Sequence, residues 1–229
     1  MTGFNKTGHD TGNDSFFAVH DIDLRINSGE RVGLLGKNKA GKTTLLQIIS
    51  GITEPGSGKL RVEGKILPIF AQGTVITPDL TGREYIYLHG SALGFSKRQI
   101  EYHMDDIISF TEIDKIDSLV KFYSTGMRTR LSLSIAMHLP ADIYIFDEVF
   151  DGSDIFFKEK VARHLEKMLK DANKTLLIVS HSEEVIKRFC DRLLFLENGK
   201  IIMDGTMQEV LDYYNTMLPE DHIIIDKKG

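Results

Sequence analysis

The residues best suited to chemistry begin at Gly36. The run Gly36, Lys37, Asn38, Lys39, Ala40, Gly41, Lys42 and Thr43, followed by Thr44, fits the spacing G-x-x-x-x-G-K-[ST] of a phosphate loop. Such a loop works between a strand and a helix, where free backbone N–H groups and the positive end of the helix dipole meet an anion. Arg31 to Gly36 is a short, mostly apolar run, and Thr43 to Ser50 carries Leu45, Leu46, Ile48 and Ile49 as a packed helix would. In that setting Lys42 supplies a cation to the β and γ phosphates of a nucleotide, and the Thr43 hydroxyl ligates Mg2+.

A second constellation lies a hundred residues on, where Ile143-Tyr-Ile-Phe ends in Asp147 and Glu148. Two acids at a strand end are ordinary solvation when they stand alone. Beside a phosphate loop, Asp147 is the expected carboxylate of the Mg2+ site and Glu148 is placed to polarise an attacking water.

These residues need a scaffold that brings distant strands together. Brief apolar runs at Ile143 to Phe146, Leu176 to Val179 and Leu193 to Leu196, separated by helical stretches, have the pattern of parallel strands with crossover helices. Asn198-Gly199 between two apolar runs signals a tight hairpin, so the sheet is expected to be mixed at one edge. Between about Thr77 and Leu139 no strand pattern occurs; Ser96 is a helix cap ahead of Ile100, Met104, Ile107 and Ile108, which predicts a helical insertion there.

Bulk properties narrow the class. With 229 residues, one core with an embedded subdomain is expected. A net charge of −5 with lysine and arginine scattered among acids gives no basic stripe, so nucleic acid is not an expected partner. Cys190 is the single cysteine, which excludes an intramolecular disulfide and points to a reducing cytosol. The polar segment 1–15 lacks a secretory signal pattern, and the apolar runs fall far short of a membrane span.

Tyr123-Ser124-Thr125-Gly126-Met127, opening a helix through Leu131, Leu133, Ile135 and Ala136, resembles the signature motif of ABC nucleotide-binding subunits. With the phosphate loop and the acidic strand in the order of that family, the resemblance runs from about Phe16 to Tyr214. It implies an α/β fold: a P-loop NTPase core of ABC type with a mixed sheet and an inserted α-helical subdomain. The chain is then one ABC ATPase domain over residues 1–229, with a helical insertion at about 77–139 and a tail at 215–229.

The resemblance also assigns roles. Ser124 and the Gly126 N–H bind a γ-phosphate held by a second copy of the chain; by itself, Ser124 reads as an ordinary helix cap. His181, after the strand Leu176 to Ser180, is the switch histidine contacting the γ-phosphate. Gln72, after Ile66 to Phe70, is the glutamine that senses Mg2+ and nucleotide state. Asp154 reads equally as the acidic D-loop residue or as the cap of the helix from Ile155. Phe17 or Phe16 stacks on adenine or packs in the core. The implied ligands are ATP and Mg2+.

Within that superfamily, Phe16-Phe-Ala-Val, Asp79-Leu-Thr-Gly-Arg-Glu-Tyr, Ile108 to Ile116 and Tyr123 to Met127 resemble ATPases that export teichoic acids, O-antigen or capsular polysaccharide. This implies a homodimer of cassettes, peripheral on the cytoplasmic face of the membrane, with a separate transmembrane permease that handles a lipid-linked glycan. O-antigen members often add a C-terminal carbohydrate-binding domain for which this sequence leaves no room, so teichoic acid or capsule export is favoured. The alternatives are the ATPase of another ABC transporter and a soluble nucleotide-switched module. Three positions depart from the family pattern: Lys39 replaces a usual glycine, Thr125 a serine or glycine, and Gly152-Ser153 make the D-loop unusual.

Overall fold

The computed structural model describes residues 17–70, 77–150 and 154–217. Six strands form one sheet: β1 (Arg31–Leu35), β2 (Ile66–Phe70), β3 (Ile143–Asp147), β4 (Thr175–Val179), β5 (Arg192–Glu197) and β6 (Lys200–Thr206). Their spatial order is β2-β3-β4-β1-β5-β6. Every neighbouring pair is parallel except β5 and β6, so the mixed edge lies where Asn198-Gly199 predicts it. Asn198 (φ 47°) and Gly199 (φ 80°) both take the left-handed conformation that a two-residue hairpin turn demands.

Strand periodicity divides the core into two layers. Val32, Leu34, Ile145, Leu177, Val179, Leu194 and Leu196 pack with Leu45, Leu46 and Ile48 of α1 (Lys42–Ile49). The alternate residues Tyr144, Phe146, Leu176, Ile178, Leu193 and Phe195 join the larger cluster on the opposite face. That cluster extends into the helical insertion formed by α2 (Gly82–Ala92), α3 (Lys97–Thr111) and α4 (Thr125–His138).

Two capping boxes start the insertion's first helices. Thr81 and Glu84 satisfy each other's backbone N–H groups at α2, and Ser96 and Gln99 do so at α3. Ile100, Met104 and Ile107 then fall on one buried face, while Ile108 is only partly buried. The remaining α-helices among the described residues are α5 (Ile155–Met168), α6 (Glu183–Phe189) and α7 (Met207–Met217). Because β1, β3 and β4 run parallel, the loop after Leu35, the Asp147-Glu148 pair and the residues after Val179 meet at the carboxyl end of the sheet, the usual location of an α/β ligand site.

Candidate active site

The loop from Gly36 to Gly41 turns tightly against two other segments. Gly36 (φ 154°) and Gly41 (φ 104°) have room for no side chain: a Cβ would lie 2.2 Å from the Leu196 carbonyl oxygen and 2.3 Å from that of Ala18, respectively. The Gly199 N–H donates to the Ala40 carbonyl at 3.0 Å, so the β5–β6 turn braces the loop from behind. Lys42 is 7% exposed, and its ammonium donates to the Gly36 and Lys37 carbonyls at 2.7 and 3.0 Å. Burial pushes its pKa down, opposed by the nearby charges of Glu148 and Asp147.

The start of α1 differs from the helices around it. Thr81, Ser96, Ser124, Asp154 and Ser182 cap α2 to α6 with side-chain oxygens, whereas the Gly41 cap of α1 offers none. The first N–H groups of α1 are therefore left for an anion, as a phosphate cradle requires.

Thr43 Oγ1 donates to Asp147 Oδ2 at 2.7 Å, which joins α1 to the end of β3. Asp147 Oδ1 is buried and has no hydrogen-bond partner among the described residues. Burial is the largest influence on that carboxyl and raises its pKa, with Glu148 adding repulsion and Thr43 and Lys42 opposing. An orphaned carboxylate oxygen beside a hydroxyl fits Mg2+, which takes one or two protein oxygens and completes its octahedron with water and phosphate. Among the described residues no cluster of three or more His, Cys, Asp or Glu could serve instead as an all-protein cage.

Glu148 and His181 come together across β3 and β4. The Glu148 N–H donates to the Val179 carbonyl at 3.0 Å, and its Oε1 lies 2.8 Å from His181 Nε2. Glu148 adopts φ 55°, a strained conformation for a residue with a side chain. A carboxylate oriented by an imidazole beside a phosphate cradle can hold and activate a water.

The predicted signature residues form a separate group. Ser124 Oγ accepts from the Met127 N–H, so Ser124 is the cap that its residue type suggests. Ser124, Gly126, Met127, Arg130, Asp154 and Glu112 line a depression of about 540 Å³ that does not include Lys42, Thr43, Asp147, Glu148 or His181. Asp154 caps α5, accepting from the Phe157 N–H at 3.1 Å, and pairs with Arg130. Arg130 also reaches Glu112 at 3.1 Å, and Lys160 approaches Glu112 at 2.7 Å, so four charged residues tie α3, α4 and α5 together.

Phe17 is 37% exposed, so it does not pack in the core, and it directly precedes the Ala18 carbonyl that faces Gly41. Thr44 is half-buried on α1. Lys37 lies 3.7 Å from Glu197; Asn38 and Lys39 are exposed. Gln72, Phe16, Gly152 and Ser153 lie outside the described residues. Nothing local in the sequence reveals that Ala18 and Gly199 back the phosphate loop; the Asn198-Gly199 turn is visible, but not where it docks.

Comparison with known proteins bears on the family and the fold. Residues 19–151 match the ABC transporter family model. This chain belongs to that family. An ABC transporter protein of Aeromonas salmonicida is 36% identical over 89% of the chain and 66% of its own length. An O-antigen export system ATP-binding protein of Klebsiella pneumoniae is 33% identical over 87% of the chain and 81% of its own length. A teichoic acids export ATP-binding protein of Enterococcus faecalis is 39% identical over 89% of the chain, but the chain spans only 45% of it. Among solved structures, a dimeric post-hydrolysis ATP-binding cassette with bound ADP and phosphate superposes with a TM-score of 0.76 at 20% identity, covering 90% of this chain and 99% of the other. The member described here is an ABC-type ATPase cassette, with the P-loop α/β fold of the family.

Proposed function

We propose that the chain drives export of a lipid-linked cell-surface polysaccharide or teichoic acid, acting as one of two identical cassettes on the cytoplasmic face of the membrane beneath a separate permease. The reading of its site rests on one arrangement: Thr43-Asp147 and Glu148-His181 flank an uncapped helix start that carries Lys42. The Gly36 to Thr44 loop holds the phosphates, with Lys42 at their β and γ oxygens. Thr43 and Asp147 would hold Mg2+, and the family resemblance would add Gln72. When bound, Mg2+ neutralises the phosphate charge that builds up during transfer. Glu148 takes a proton from the attacking water, and His181 fixes the carboxylate's orientation. Phe17 supports the adenine.

The choice of cargo follows the O-antigen and teichoic acid export relatives of Klebsiella and Enterococcus. Among the described residues no helix is long and apolar enough to cross a membrane. A groove beside β2, lined by Ile52, Phe70, Tyr85, Leu88, His89 and Leu93, is the seat we assign to the permease; Ile52 and Leu88 are 58% and 45% exposed. Coexpression with the candidate permease tests the reading. Copurification, stimulated ATP hydrolysis and surface glycan that disappears with Lys42→Ala are expected; intact export with that variant overturns it.

A further inference from the structure

Among the described residues four charged ones take positive φ: Asp21 (53°), Lys39 (65°), Glu112 (55°) and Glu148 (55°). A side chain in that region is unfavourable, and such strain persists where the residue's chemistry is used. Three of the four have a counter-charge or hydrogen-bond partner. Asp21 meets Lys200 at 3.0 Å, Glu112 meets Lys160 at 2.7 Å, and Glu148 meets His181 at 2.8 Å. Lys39 is exposed and has no side-chain partner among the described residues.

Its loop neighbours are already engaged. Lys42 is held by two carbonyls, and Lys37 stands 3.7 Å from Glu197. Among the described residues Lys39 is thus the one lysine of the loop with no compensating partner, and it sits three residues before the buried lysine of the cradle. The site is otherwise short of positive charge, since Asp147 and Glu148 both face Lys42.

We infer that Lys39 is a second phosphate-binding cation, one that selects for the nucleotide with the more highly charged phosphate chain. The inference rests on the phosphate-loop reading of residues 36–43. Mg2+·ATP carries one more negative charge than Mg2+·ADP, so a cation at the loop crest favours ATP over ADP. The strain at Lys39 is retained because glycine, which fits this φ, carries no charge. A surface cation acting through water is screened by salt, so the preference weakens as ionic strength rises.

The test measures binding of Mg2+·ATP and Mg2+·ADP by calorimetry to the full chain and to Lys39→Gly, Lys39→Asn and Lys39→Arg, at low and high salt. Asparagine tolerates positive φ without charge, and arginine keeps the charge. At low salt, Lys39→Gly and Lys39→Asn are expected to weaken ATP binding by about three- to tenfold, as one partly screened charge interaction would. ADP changes less, Lys39→Arg stays near the wild type, and high salt narrows the gap. Nucleotide-free Lys39→Gly is expected to melt no lower than the wild type, which separates lost charge from lost folding. Wild-type ATP affinity in Lys39→Gly, or equal losses for ATP and ADP, overturns the inference alone. If Lys42→Ala binds ATP as tightly as the wild type, or the wild type does not bind it, the phosphate-loop reading falls too.

Discussion

His181 Nε2 lies 2.8 Å from Glu148 Oε1, although the two residues are 33 positions apart in the chain. The contact is made by the sheet. Asp147 stands opposite Val179 in the parallel β3–β4 ladder, and the Glu148 N–H closes onto the Val179 carbonyl. Glu148 leaves the strand at φ 55°, and its carboxylate reaches the imidazole on the neighbouring strand end. A base held this way has its geometry fixed before substrate arrives, which is where general-base catalysis gains most.

Glu148→Gln is therefore expected to lower ATP turnover by about 100- to 10,000-fold while leaving Mg2+·ATP affinity within a few-fold of the wild type. His181→Ala should lower turnover too. Because the two residues act as one unit, the double variant should lose little more than Glu148→Gln alone. Steady-state phosphate release with parallel binding titrations checks this. Multiplying losses would mean that the residues act independently.

Replacing Gly41 should cost both stability and nucleotide binding. In Gly41→Ala the new Cβ meets the Ala18 carbonyl and remains at φ 104°, at a cost of about 1–3 kcal/mol. A melting temperature lower by about 2–4 °C per kcal/mol and loss of ATP binding are expected. Gly51→Ala is the control: Gly51 has φ 71°, but a Cβ there meets nothing within 4 Å among the described residues. It should lose some stability through backbone strain and keep nucleotide affinity. Equal binding defects in both would show that the Ala18 contact does not shape the loop.

The sequence shows the phosphate loop, the acidic strand end and the hairpin because each is local. Spacing, apolar period and turn chemistry all sit within a few residues. Ser96 and Asp154 are legible as caps for the same reason, since a side-chain oxygen answers an N–H three residues later. The braces of the site are not local. Gly36 is fixed by Leu196 and Gly41 by Ala18, and the Glu112, Arg130, Asp154 and Lys160 network joins three helices without periodicity. Charges of both signs are scattered along the chain, so no spacing marks which ones meet.

His89 gives stability a pH dependence whose sign can be stated. Its ring stacks on Tyr85 with centroids 5.5 Å apart, its Nε2 is buried without a hydrogen bond among the described residues, and burial holds its pKa at about 4. The unfolded chain protonates this residue near its ordinary pKa of about 6.5, before the folded chain does. Its contribution is therefore constant above about pH 6.5 and declines as pH falls toward 4, by up to about 3 kcal/mol. His138 and His164 are lowered by burial as well and add to the trend. Urea unfolding at pH 7.5, 6 and 5 should show a shallower decline for His89→Leu than for the wild type. Parallel declines would place the His89 titration elsewhere.

Gly126 tests whether one chain completes its own site. Among the described residues a Cβ at Gly126 meets only Ser124 Oγ, at 3.9 Å, which leaves room for a side chain there. Ser124 and Gly126 line a depression apart from Lys42, Asp147 and Glu148, and they open a helix whose positive end attracts an anion. If that anion is the γ-phosphate held by a second copy, the cost of a side chain at Gly126 appears only in the dimer. Gly126→Asp should then melt within about 2 °C of the wild type, as surface changes usually do, and bind ATP as a monomer with little change. In a Glu148→Gln background, where ATP stays bound, the parent protein should dimerise on addition of Mg2+·ATP. The Gly126→Asp version should remain monomeric, because the new carboxylate faces the partner's phosphate across the interface. Sedimentation at matched concentrations reads the difference. Equal ATP-driven dimerisation of the two proteins would remove Gly126 from the shared site.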